Sequence, residues 1–251
     1  MKGSKIFIPN SIKIILIFSL GFNFLAAFYI GSKIYHKYYH PNQSAQNLIK
    51  RKKLKYFINR HEQFENLPKD KNSIVFLGTS LTSNFELAET FQNIHIKNRA
   101  INSEQIIGII DRLQPILDLQ PKKIFIEIGI NELGNGVPKE EILSNYYQLL
   151  DTLKKECDST QIYIQSIFPV ENRLDTYTSF CNAKVNKEII EINKDLKVYA
   201  EKNNMTFIDT HTKFVKNGQL NPNYSADGVH LSGKGYLLWT EILRPYLDDA
   251  K

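Results

Sequence analysis

From residue 73 onward, short apolar runs alternate with amphipathic stretches, and few architectures accommodate that alternation. Ser73–Leu77 is a nearly continuous apolar run that stops at Gly78, and it reads as a buried strand. Further strands are expected at Ile94–Lys97, Lys123–Ile128, Gln161–Ser166 (ahead of Pro169) and Met205–Asp209. Residues 103–119 read as largely helical, with Ser103 as the cap and Ile106, Ile107, Ile110 and Leu113 at helical spacing. Pro115 is expected to kink or end that helix early. Helices are also expected over 138–157, with Pro138 near the first turn, over 182–203 and over 232–247. This order predicts an open sheet of five parallel strands with helices on both faces, a three-layer α/β/α domain. Parallel strands are buried on both sides, which suits Ile74-Val75-Phe76-Leu77. Such sheets bind ligands beyond the carboxyl ends of their strands, so the chemistry should lie just after each strand.

A second pattern precedes this domain. Residues 12–30 are almost continuously apolar. As a helix they would span about 28 Å, close to the thickness of a bilayer core. Lys13 at one end and Tyr29 and Tyr35 at the other suit the two interfaces. The stretch Ala26-Ala27-Phe28-Tyr29-Ile30-Gly31-Ser32 offers no clean small-x-small cleavage site, so an uncleaved anchor is expected rather than a cleaved signal segment. The expected organisation is a tail at 1–11, the transmembrane anchor at 12–30, a basic connecting region at 31–71 and the folded domain at 72–251. Positive charge flanks the apolar run on both sides; we expect the N-terminus inside and the domain outside the cytoplasm.

Charge separates the same segments. Residues 31–71 carry ten Lys/Arg against three acids, whereas residues 72–251 carry nineteen against twenty-three. The basic segment fits either attraction to anionic headgroups or a solvated linker with helical potential over Leu48–Phe64. The folded domain is mildly acidic, which argues against a nucleic-acid partner. Cys157 and Cys181 show no metal-type or redox-type spacing; a disulfide and two buried thiols both remain open.

Three places carry candidate chemistry. After the first strand comes Gly78-Thr79-Ser80-Leu81, a turn that can present a hydroxyl at the rim of the sheet. It is not a Gly-x-Ser-x-Gly elbow, since Thr82 holds the last position, and alone it also fits a helix cap. Near the C-terminus Asp227 and His230 share a glycine-containing loop, Ser225-Ala226-Asp227-Gly228-Val229-His230. A carboxylate at that spacing can hold one imidazole nitrogen and leave the other free as a base. Serine needs such help because its hydroxyl is a poor nucleophile near neutrality. His36, His40, His61, His95 and His211 lack that setting and read as structural or surface residues. After the third strand comes Gly129-Ile130-Asn131-Glu132, where Asn131 could donate a hydrogen bond to a developing oxyanion.

Together with Asn98-Arg99-Ala100-Ile101-Asn102-Ser103, these stretches resemble the four blocks of the SGNH hydrolases, also called GDSL-type esterases and lipases. The resemblance covers roughly residues 73–247, and Asp227-x-x-His230, continued by Leu231-Ser232 and Gly235-Tyr236, is its strongest block. It implies a flavodoxin-like sheet, a Ser80 nucleophile, a His230 base oriented by Asp227, and an oxyanion hole built from the Ser80 N–H, the Ser103 N–H and the Asn131 side chain. It implies no metal or organic cofactor. The expected activity is hydrolysis of acetyl or short-acyl esters of a glycan, or of a lysophospholipid, through an acyl-enzyme. O-acyl transfer to a polysaccharide and a non-catalytic binding domain are the alternatives, while a phosphate binder using the Ser80 turn would not need the Asp227–His230 pair. The chain departs from the family pattern at Thr79 (Asp in the family), Ala100 and Ser103 (glycines) and Glu132 (Asp).

Overall fold

The computed structural model describes residue 29, residues 43–172 and residues 177–247, with side chains in the first helix from Leu54 onward. Two units divide the chain, residues 1–59 and 60–251. Helix α1, Gln43–Glu65, begins in the first unit and ends in the second. The anchor expected at 12–30 lies outside the described residues except for Tyr29. Among the described residues, no helix is long and apolar enough to cross a membrane.

The second unit is built on five parallel strands: β1 (Ile74–Gly78), β2 (Ile96–Asn98), β3 (Lys123–Glu127), β4 (Gln161–Gln165) and β5 (Thr206–Ile208). Their order in the sheet is β2-β1-β3-β4-β5. The five expected strands are present, each within about two residues of its expected bounds. Alternation sends successive side chains to opposite faces, and both faces are buried. On one face Val75, Leu77, Ile124 and Ile126 pack with residues such as Tyr146, Leu150, Ile189 and Leu196. Those helical residues belong to α7 (Lys139–Glu156) and α8 (Ala183–Lys202). On the other face Phe76, Phe125 and Tyr163 stack across three strands, with ring centroids 4.6 and 4.4 Å apart. Trp239 and Leu243 of α10 (Gly233–Leu247) cover them. The buried Lys123, at the start of β3, donates to the Tyr246 and Leu247 carbonyls and so caps the end of α10.

Several expectations need correction. The helix expected over 103–119 is two short ones, α4 (Ile106–Asp111) and α5 (Gln114–Leu117), with Pro115 in the first turn of α5. Ser103 is not a cap. It lies in a left-handed turn at φ 61°, and Gln105 occupies the cap position of α4. Short helices that periodicity cannot register also appear: α2 (Ser80–Ser83), α3 (Leu87–Thr90), α6 (Ile130–Gly134) and α9 (His211–Phe214). After α9 comes a small hairpin, β6 (Val215–Lys216) and β7 (Gln219–Leu220). Its turn is Asn217-Gly218, both at positive φ, the combination that a two-residue hairpin favours. Cys157 and Cys181 are both buried thiols.

Candidate active site

The order β2-β1-β3 places the reversal of winding between β1 and β3, and the crevice beyond the carboxyl ends there is the expected ligand site of such a sheet. Ser80 is the first residue of α2, directly after the extended cap residue Thr79, so its hydroxyl stands at the rim above β1. Close packing fixes this junction. A Cβ on Gly78 would lie 2.4 Å from Thr82 Oγ1 and 2.6 Å from the Glu127 carbonyl of the neighbouring strand. Tyr236 of α10 donates its hydroxyl proton to the Leu81 carbonyl at 2.9 Å and holds α2 from the other side. Asn98, at the end of β2, donates to the Thr82 and Phe85 carbonyls and accepts from the Ala100 N–H. The first and second blocks are thereby tied together.

Asp227 and His230 lie in a loop closed by the Ser225–Leu231 bridge, in which the Ala226 N–H donates to the His230 carbonyl at 2.8 Å. Within that loop the Asp227 carboxylate is used fully. Its Oδ1 accepts the backbone N–H groups of Val229 (3.0 Å) and His230 (2.8 Å), while Oδ2 lies 2.7 Å from His230 Nδ1. Burial alone would raise the pKa of this carboxyl. The His230 backbone N–H, the His230 ring and the Val229 N–H outweigh it and hold the group below its ordinary value. The opposite ring nitrogen, Nε2, is 2.8 Å from Ser80 Oγ. Residues 150 positions apart in sequence thus form one continuous chain of hydrogen bonds, Ser80–His230–Asp227.

Ser80 and His230 open onto a cleft of about 460 Å³ that Ser103 and Asn131 also line. Asn131 sits in the first turn of α6, after Gly129, whose φ of 128° is open to glycine and strained for other residues. One N–H of its amide goes to the Glu104 carbonyl at 2.8 Å, and the amide has a second N–H to offer. Glu132 does not enter this cleft. Its Oε1 accepts the Ile106 N–H at 2.5 Å, at the start of α4, which gives the longer acid a structural place. The five residues singled out from the sequence are therefore brought together, four along the cleft and Asp227 behind His230. Of the other histidines, His95 pairs with Asp70, His61 lies 3.4 Å from Glu65, and burial pushes the His211 pKa down. His36 and His40 lie outside the described residues.

The sequence reading missed the rest of the lining. Ile130, Tyr177, Phe180 and Val229 form an apolar wall, while Asn84 and Asn102 add amides. Tyr177 stands edge-on to the His230 ring, with centroids 6.0 Å apart. Ile130, Val229 and Asn102 lie inside the stretches quoted above but were assigned no role there, and no local motif announces Tyr177, Phe180 or Asn84.

This chain belongs to the GDSL-like lipase/acylhydrolase family, whose sequence profile matches residues 78–238. Among solved structures, a Streptococcus pneumoniae protein named for platelet activating factor is similar over 82% of this chain and 100% of its own, with 27% identity and a TM-score of 0.74. A GDSL-like lipase from Bacteroides thetaiotaomicron shares the fold over 76% of this chain and 96% of its own, at 18% identity and a TM-score of 0.67. An N-acylneuraminate cytidylyltransferase of Streptococcus agalactiae is 25% identical over 205 residues, which are 81% of this chain and 45% of that protein. The chain thus spans less than half the length of the curated relatives it matches.

Proposed function

We propose that this protein removes acetyl or other short acyl groups from the hydroxyls of a glycan, with Ser80 as nucleophile, His230 as base and Asp227 as the group that orients the base. The observation that carries this reading is the unbroken Ser80–His230–Asp227 chain, with links of 2.8 and 2.7 Å. With the Nδ1 proton donated to Asp227, Nε2 keeps its lone pair and accepts the Ser80 proton. Ser80 Oγ then bonds to the ester carbonyl carbon. The oxyanion is met by the Ser80 and Ser103 N–H groups and the second amide N–H of Asn131. The bond to the alcohol oxygen breaks, His230 returns its proton to that oxygen, and the acyl group stays on Ser80. Water repeats the sequence, losing a proton to His230, and the acid leaves with Ser80 restored.

The glycan reading is supported by the lining of the cleft. Asn84, Asn102, Ser103 and Asn131 present amides and a hydroxyl around the nucleophile, groups that suit an alcohol rich in hydroxyls. The apolar wall of Ile130, Phe180 and Val229 suits a short acyl group. A relative named for N-acylneuraminate makes O-acetylated N-acylneuraminate a natural first substrate to test. Lysophospholipid is the alternative substrate, and a sugar hydroxyl in place of water would make the same triad a transferase. We further read residues 12–30 as an anchor that holds the domain outside the cytoplasm.

The test compares O-acetylated sugars, a lysophospholipid and an acyl-length series of activated esters, with and without an added sugar acceptor. The proposal expects release of acetate from the sugar esters and a steep loss of rate with acyl length. Preference for the lysophospholipid would overturn the substrate class, and acyl transfer outpacing hydrolysis would establish the transferase.

A further inference from the structure

We infer that the buried Glu104–Arg112 ion pair, roofed by Phe64, is the positioning device of the oxyanion hole; the inference rests on the triad reading above. The loop between β2 and α4 carries Ser103, whose N–H is one expected oxyanion donor. Ser103 holds φ at 61° in a turn closed by the Glu104 N–H on the Ile101 carbonyl at 3.2 Å. That conformation costs little for glycine and more for serine, so the loop needs support from outside the turn.

Arg112 supplies that support at both ends of the loop. Its Nη2 donates to the Arg99 carbonyl at 2.7 Å, where the loop begins. Its Nε and Nη2 donate to the two carboxylate oxygens of Glu104, at 2.5 and 2.6 Å, where the loop ends. The planar guanidinium meets the carboxylate in the two-point geometry that fixes orientation as well as distance. Glu104 then passes this order on, because its backbone carbonyl accepts the Asn131 amide at 2.8 Å. One ion pair thus sets two donors that reach the cleft from different strands, Ser103 after β2 and Asn131 after β3.

Water is kept from the pair by an aromatic roof. Glu104 and Arg112 are almost fully buried, and Phe64 in the last turn of α1 is buried as well. The guanidinium carbons of Arg60, Arg99 and Arg112 lie 4.5, 5.2 and 5.5 Å from the Phe64 ring centroid. A buried pair contributes little net stability compared with an apolar pair of similar shape, so its value here lies in the geometry it imposes.

The test uses the full chain with an activated acetyl ester and measures kcat and KM for the parent, Glu104→Gln, Arg112→Lys and Asn131→Ala, with melting curves for each. Arg112→Lys keeps the charge but has no planar fork to span both ends of the loop. The expected result is a kcat roughly 10- to 100-fold lower in Glu104→Gln and Arg112→Lys, with KM within about twofold. In the Asn131→Ala background the further loss from Glu104→Gln should be smaller than in the parent, because one of the two donors that the ion pair sets is already gone. Parental kcat in a folded Glu104→Gln, or full additivity with Asn131→Ala, overturns the inference even where the melting temperature falls. Should Glu104→Gln not fold, Glu104→Asp keeps the charge and shortens the arm; a kcat loss at unchanged KM supports the inference and parental kcat overturns it. Ser80→Ala is run beside them: if it hydrolyses as the parent does, the triad reading itself has failed, whatever the Glu104 variants do.

Discussion

The Asp227 carboxylate divides its two oxygens between its own loop and the His230 ring. One oxygen ties the loop to itself through two backbone N–H groups, and the other faces His230. This was legible in the sequence because Asp-x-x-His is local, so spacing alone nearly dictates the contact. Ser80 was not distinctive by itself; its position after a strand gave it meaning. Ser103 was misread as a cap because serine before a helical pattern usually is one, and its left-handed φ depends on a turn that Arg112 braces. Asn131→Ala should lower kcat about 100-fold and leave KM within a few-fold, measured on an activated acetyl ester. Glu127 was not singled out at all. Its carboxyl is buried at the end of β3, and neither oxygen has a hydrogen-bond partner among the described residues. Burial, reinforced by the Glu132 charge, pushes its pKa from 4.5 to about 8. The folded state therefore holds this proton more tightly than the unfolded state. Its contribution is fully present below pH 4.5 and is lost as pH rises through about 8. Melting curves between pH 5 and 8.5 should show the parent losing stability relative to Glu127→Gln, with the gap growing by about 1.4 kcal/mol per pH unit at most. A gap that stays constant with pH would mean that Glu127 titrates normally.

The β1–α2 junction is the element on which the site depends most. β1 was read from its apolar run, but α2 has only four residues, too few to show a helical period. The same reason hid α3, α6 and α9. The β6–β7 hairpin could have been found, since Asn217-Gly218 between apolar residues is a turn signal in its own right. Gly78→Ala tests the junction. The added methyl meets the backbone of β3 and the Thr82 side chain, so unfolding should cost about 2–4 kcal/mol less than in the parent. Denaturant titration gives that number, and a loss below about 0.5 kcal/mol would show that β1 and β3 can move apart. Removing the Asn98 side chain strikes the same junction from β2. Asn98→Ala leaves the Thr82 and Phe85 carbonyls without their shared donor and should cost about 1–3 kcal/mol, with a fall in kcat where α2 shifts.

At the scale of the whole molecule, the class of fold followed from alternation alone, because five parallel strands with intervening helices leave few arrangements. The strand order did not; it is set by which faces the helices cover, and that is a property of packing. The order nonetheless positions the candidate site, since the reversal at β1 and β3 gathers Ser80, Ser103 and Asn131 on one rim. The apolar run at 12–30 belongs to this scale as well. An alkaline phosphatase fusion after residue 70 should be active if the run anchors the domain outside the cytoplasm, and an expressed but inactive fusion would reverse that orientation. The central claim is that Ser80 carries the acyl group. The most direct measurement is mass spectrometry of the full chain quenched during turnover of an activated acetyl ester, and again after treatment with a fluorophosphonate. The expected result is an acetyl group and a phosphonyl group on the peptide containing Ser80, neither of them formed in Ser80→Ala. Modification of a different residue, or unchanged turnover by Ser80→Ala, would contradict it.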